Sequence, residues 1–183
     1  DLSDIRDLLR RVAVRDTVLA PEDLLKIASF AGGVEGLRRF LQSVPPGNGY
    51  ARDLIDQLDP LVALNRRIGK TINIDGFIED TASYELSKIR SDLFSYRERI
   101  RRNLEAVMER ESVRPILQDS YIAIRNGRYV LPFKPNFNQA IQGIVHDYSH
   151  SLKTSFVEPV EVLELNNSIN ILAEEEREEE KRI

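Results

Sequence analysis

The sequence predicts a mainly α chain with a small antiparallel β insertion: a helical opening segment, then two long helices running in opposite directions with a short sheet between them. Three observations carry this. The apolar residues Leu86, Ile89, Leu93, Tyr96, Ile100, Leu104 and Val107 recur in steps of three and four, which is the seam of a paired helix. Val162, Leu165, Ile169 and Leu172 repeat that spacing later in the chain and supply the partner. Between them, residues 120–125 and 128–131 are rich in β formers and flank Asn126-Gly127, a pair that accepts the two positive φ angles of a tight hairpin.

The opening segment reads as short helices. Pro21 followed by Glu22 and Asp23 predicts a helix start, with proline in the first turn and acids where the helix dipole favours them. Leu24, Leu25, Ile27, Ala28, Ala31, Leu37, Phe40 and Leu41 supply an apolar face, and Gly32-Gly33 predicts a break. Pro45-Pro46-Gly47-Asn48-Gly49 reads as a loop. Leu54, Ile55, Leu58, Leu61, Val62, Leu64 and Ile68 return to helical spacing, with Pro60 bending or splitting the stretch. Residues 72–78 alternate apolar and polar about Asp75-Gly76, the signal of a small hairpin.

Ser83 is the predicted N-cap of the first long helix. Helical over 83–112, that segment is about 45 Å long, and a single narrow apolar stripe on such a rod requires a partner. Further strands are predicted at 143–148 and 154–157, after which Glu158-Pro159 opens the return helix. Packed antiparallel, its acidic end at 174–180 lies near Lys88, Arg90 and Arg97, and the acid run itself reads as a solvated helix face. The expected organisation is 1–82, 83–112, 113–157 and 158–183, with the sheet held out at the far end of the paired helices.

The charged fraction of 31% exceeds the globular average of about 25% and suits exposed helices. The chain has no cysteine, which excludes disulfides and thiolate metal sites. No apolar run reaches the roughly 18 residues of a membrane span, and the first residues lack the pattern of a signal peptide. A soluble, cytoplasmic setting is expected, with no membrane partner. Net charge is −4, but residues 113–157 carry five basic and two acidic residues, whereas 158–183 carry three and nine. A locally positive tip on an acidic chain can steer an anionic partner.

Arg125, Arg128, Lys134 and Lys153 are the candidate phosphate contacts, with Asn126, Ser149 and Ser151 as hydrogen-bonding neighbours. Such contacts position a protein on nucleic acid without reading sequence; ordinary surface charge on a sheet is the competing reading. His146, Asp147 and His150 invite a metal or general-base reading, but on a strand the two histidines lie more than about 10 Å apart. Hydrogen-bonded or surface imidazoles fit better. Tyr121, Tyr129, Phe133, Phe137 and Tyr148 either stack on bases or, the favoured reading, fill the core of a small sheet. No nucleophile has an adjacent base. No glycine-rich phosphate loop occurs either, since Ile68-Gly69-Lys70-Thr71 lacks the glycine-rich lead. Catalysis and a resident cofactor are therefore not expected in this chain.

Residues 126–132 (Asn-Gly-Arg-Tyr-Val-Leu-Pro), 143–147 (Gly-Ile-Val-His-Asp), 156–159 (Phe-Val-Glu-Pro) and 164–167 (Glu-Leu-Asn-Asn) resemble the bacterial MutS-two family, paralogues of the mismatch-repair ATPase MutS. Asp75-Gly76, followed by Thr81-Ala82-Ser83 and the long helix, is similar too. The resemblance implies that 1–82 begins a core domain, that the helices from 83 and 158 are lever helices, and that 113–157 is a β clamp. It also implies a larger parent: a homodimer whose ATPase domain takes ATP and magnesium, usually with a Smr nuclease domain, and whose paired clamps close on duplex or branched DNA. Roles in suppressing recombination and at stalled ribosomes come with it; mismatch detection does not, because the family lacks the mismatch-reading domain. One departure stands out. Where the family has a Ser-x-Ser-Gly-x-Thr turn, this chain has Ser149-His150-Ser151-Leu152-Lys153-Thr154, with leucine for glycine.

The reading that results is a lever-and-clamp segment engaging nucleic acid without sequence specificity. Its rival is a protein-interaction or dimerisation arm gripping a ribosome or other protein. A free-standing helical scaffold is the third.

Overall fold

A computed structural model describes residues 3–43, 53, 55, 57–58, 61–135 and 141–183. The loop expected at Pro45–Gly49, Leu54, Pro60 and Phe137 lie outside the described residues. The chain divides into two compact units, Asp1–Leu86 with Glu180–Ile183, and Ser87–Glu179.

In the first unit, α1 (Arg6–Val12) precedes α2 (Pro21–Gln42). Pro21 starts α2 as predicted, with Glu22 and Asp23 in its first turn. The Lys26 ammonium and then the Arg11 guanidinium, at 3.0 and 2.7 Å, hold the Asp23 carboxyl below the usual carboxylate range. The predicted break at Gly32-Gly33 does not occur, and α2 runs through both glycines. The reason is tertiary: α2 packs on α3 (Val62–Thr71), and a Cβ on Gly32 would meet the Asn65 amide at 3.4 Å. Close approach of a second helix outweighs the roughly 1 kcal/mol that a mid-helix glycine costs. The hairpin expected at 72–78 is a turn one bridge deep. Ile72 pairs with Ile78, the Asn73 side-chain oxygen accepts from Asp75 N and Phe77 N at 3.0 and 2.9 Å, and Gly76 takes φ 84°.

The two helices of the expected seam are α4 (Tyr84–Met108) and α5 (Leu163–Arg182). Ser83 caps α4 as predicted, its hydroxyl accepting from Leu86 N at 2.9 Å. The helix stops at Met108 rather than 112, because the chain turns there to sink Val113 and Leu117 into the core. The return helix also starts later than expected: Glu158 and Pro159 finish a strand, and Val160–Val162 is a 3-10 turn.

In the second unit the seam closes as the periodicity required. Leu93, Ile100, Leu104 and Val107 share one core with Val162, Leu165 and Ile169, flanked by Ile89, Tyr96 and Leu172. Ion pairs fix the antiparallel sense: Arg90 meets Glu176 at 2.7 Å, and Arg110 meets Glu161. Of the three cations expected beside the acidic end, Arg90 alone is ion-paired with it among the described residues. The acid run is only partly a solvated face, since Glu176 is engaged and Glu179 is buried.

Four strands, β1 (Ala123–Arg125), β2 (Arg128–Phe133), β3 (Gly143–Tyr148) and β4 (Ser155–Pro159), form an antiparallel sheet in the order β1-β2-β4-β3. Asn126 and Gly127 take φ 51° and 73°, the mirror-image turn that their pairing predicted. The sheet is not held clear of the helices. Leu131, Phe133 and Val157 on one face belong to the same core as Ile100 and Leu165. The opposite face has a small core of its own, Ala123, Val130 and Phe156. Phe133 is thus core, as favoured, and Tyr129 packs against it, but Tyr121 and Tyr148 are exposed and fill nothing.

Candidate nucleic-acid interface

The sheet carries a buried carboxylate, which is costly unless its lone pairs are met. Glu158 on β4 is 0% exposed. Its Oε1 accepts from the Asn166 side-chain amide at 2.7 Å and from Arg128 Nη1 at 3.3 Å, and its Oε2 lies 2.6 Å from His146 Nε2. His146 reaches it because β3 bulges between Val145 and Asp147. Asn166 does more than donate to the acid. Its amide brackets Tyr129, accepting from the backbone N at 3.0 Å and donating to the backbone O at 3.1 Å. A helical side chain thereby satisfies β2 as a neighbouring strand residue would. Arg128 completes the array by donating to Asn167 Oδ1 at 2.6 Å. With its nitrogen facing Gly127 O at 3.1 Å, the Asn170 amide also accepts from Arg128 Nε at 3.3 Å.

The candidate phosphate contacts fall into two groups. Arg125, Asn126 and Arg128 belong to the β1–β2 turn, and each is engaged by neighbours within the sheet, Arg128 by the buried Glu158 and the other two at the surface. Arg125 pairs with Asp147 at 3.2 Å and covers the Phe156 ring at 4.0 Å, while the Asn126 amide donates to His146 O at 3.1 Å. These contacts tie the edge strands β1 and β3 to each other across the second small core. Lys134, Ser149, Ser151 and Lys153 lie where β2 ends and β3 turns into β4, since Phe133 and Tyr148 both face Ser155. Lys134 donates to Pro115 O at 2.8 Å, which brings it beside Arg114, a cation that sequence reasoning missed. Arg114, Lys134 and Lys153 are exposed and have no carboxylate partner among the described residues. The signal for Arg114 was out of reach locally, because it depends on Leu117 bridging to Phe133.

Ser149 organises the β3–β4 turn. Its backbone N donates to Thr154 O at 2.9 Å, its backbone O accepts from Leu152 N at 2.8 Å, and its hydroxyl accepts from Thr154 N at 3.1 Å. The Ser151 hydroxyl is 3.4 Å away. Leu152 takes φ 57°, so leucine occupies the left-handed position that glycine holds at no steric cost. Replacing Leu152 with glycine is predicted to raise the free energy of unfolding by about 0.5–1 kcal/mol, the relief of strain less the added chain entropy. A urea midpoint that falls would count against this.

Three curated relatives, each named Endonuclease MutS2, align with essentially the whole chain. The protein from Geobacillus thermodenitrificans (strain NG80-2) is 37% identical over 98% of the chain, and that from Aquifex aeolicus (strain VF5) is 34% identical over 100%. The Bacillus cereus (strain B4264) protein is 33% identical, also over 100%. The chain belongs to the MutS2 family. It spans about a quarter of these relatives, 23–24% of their length. No family model matches the chain.

Within this MutS2 segment, the residues that carried the resemblance are largely those of the buried array: Arg128 and Tyr129, His146, Glu158, and Asn166 with Asn167. They hold helix and sheet to one another. The chain's own glycine-lysine-threonine run does not fit a nucleotide: Gly69, Lys70 and Thr71 are helical, and the Thr71 hydroxyl donates to Arg67 O at 2.8 Å. Among the described residues no cluster of three or more His, Asp or Glu is placed to hold a metal ion, and no helix is long and apolar enough to cross a membrane.

Proposed function

We propose that this MutS2 segment is a lever-and-clamp element that engages nucleic acid through its phosphates, without sequence specificity. The observation that carries the reading is that Arg114, Lys134 and Lys153, where β2, β3 and β4 meet, have no carboxylate partner among the described residues, whereas Arg125 and Arg128 are paired with Asp147 and Glu158. Serine hydroxyls and the exposed His150 beside it supply further hydrogen-bonding groups. On this reading 1–82 begins a core domain and the paired helices carry motion to the sheet. The parent is a homodimeric ATPase using ATP and magnesium through a domain outside this chain, and the name of its relatives favours an endonuclease.

Three neutralised phosphates predict that log K for a linear duplex falls with log salt at a slope of about −3. Replacing Arg114, Lys134 and Lys153 together with glutamine should flatten that slope and leave the unfolding midpoint unchanged. Salt-independent binding, or an unaltered slope in the triple variant, would refute the assignment. Tighter binding to ribosomes than to duplex at matched salt would favour the protein-gripping reading instead.

A further inference from the structure

We infer that Leu152 is an apolar wedge that the β3–β4 turn presents to an interrupted base stack. This rests on the reading of that end of the sheet as the nucleic-acid face, and it names the kind of ligand the face prefers.

Leu152 is unfavourable twice over. Its backbone sits at φ 57°, and its side chain is 70% exposed, outside both apolar clusters of the second unit. Among the described residues nothing offsets either cost. The turn around it is nevertheless well fastened, with Ser149 bonded to Leu152 N and, through two hydrogen bonds, to Thr154. A fixed turn with a large apolar residue at its crest presents that residue outward.

The surroundings select the ligand. His150, Ser151 and Lys153 are exposed beside Leu152, and no acidic residue occurs from 148 to 157. The acids on either side are occupied, Asp147 by Arg125 and Glu158 by the buried array. An apolar point ringed by an ammonium, an imidazole and hydroxyls matches nucleic acid, whose apolar base faces lie between rows of phosphates. Small apolar side chains enter such stacks as wedges, and prying apart an intact step costs several kcal/mol. That cost is smallest where pairing or stacking is already broken. The fitting ligand class is therefore duplex with an unpaired bulge or a comparable break, rather than intact linear duplex.

The test compares the 183-residue chain with its Leu152→Gly and Leu152→Met variants. The probes are a linear duplex and the same duplex carrying one bulge, at one salt concentration. Leu152→Gly should weaken binding to the bulged duplex about tenfold, the scale of one lost stacking contact. Its affinity for linear duplex should stay unchanged and its melting temperature equal or higher, so misfolding cannot mimic the result. Leu152→Met, which keeps the apolar bulk, should retain the preference for the bulge. Equal losses on both probes, or none on the bulged one, would overturn the wedge. If the unaltered chain binds linear duplex with the expected salt slope but shows no preference for the bulge, the wedge fails and the phosphate reading survives. If it binds neither, both fail.

Discussion

Glu158→Ala is expected to lower the free energy of unfolding by about 3–5 kcal/mol, the penalty for breaking a buried ionic array by removing one member. The substitution leaves the Arg128 guanidinium beside a cavity, and it strips Asn166 and His146 of the acceptor that satisfies them. Glu158→Gln should cost less, because its carbonyl oxygen still accepts one of these donors and only the charge is lost. Arg128→Ala discriminates between the two readings of that arginine. A surface phosphate contact would lose affinity at unchanged stability, whereas a residue 22% exposed and bonded to Glu158 and Asn167 should lose stability instead. Urea unfolding followed by circular dichroism reads all three variants. A Glu158→Ala midpoint equal to that of the unaltered chain would show the array to be dispensable.

Phe133→Ala carries the second large effect, about 3–5 kcal/mol from lost burial and the cavity left behind. Phe133 is fully buried at the end of β2, in the cluster that also holds Leu104, Val113 and Val157, so helix, connecting turn and sheet all lose a neighbour at once. A base-stacking aromatic would behave differently, leaving stability intact and weakening binding. Tyr148, exposed at the end of β3, is the matching control: Tyr148→Ala should shift the unfolding midpoint far less.

The parts of this fold that were legible in the sequence are those governed by short-range rules. The three-and-four spacing from Leu86 to Val107 reports a buried helix stripe whatever covers it, and Asn126-Gly127 has few low-energy choices besides the turn it makes. The Gly32-Gly33 break was misread because Asn65, the residue that makes glycine useful there, belongs to a different helix. The pairing of Arg128 was out of reach for the same reason at longer range: Glu158 and Asn167 lie 30 and 39 residues further on. One clue was available. A glutamate between Phe156, Val157 and Pro159, in a strand buried at every position, has to be neutralised by something. For the candidate interface, residue type alone could nominate cations, but it could not separate those spent on neighbours from those left over.

The double bond pattern between the Asn166 amide and Tyr129 has a mechanical consequence. Spinning this stretch of α5 about its own axis would swing the amide out of the β2 plane and break three hydrogen bonds at once, the third being that to Glu158. Sliding or tilting the helix together with the strands breaks none of them. Any movement of the helix relative to β2, turning or sliding, is thus resisted at this junction, and Asn166 and the strand hold a common position.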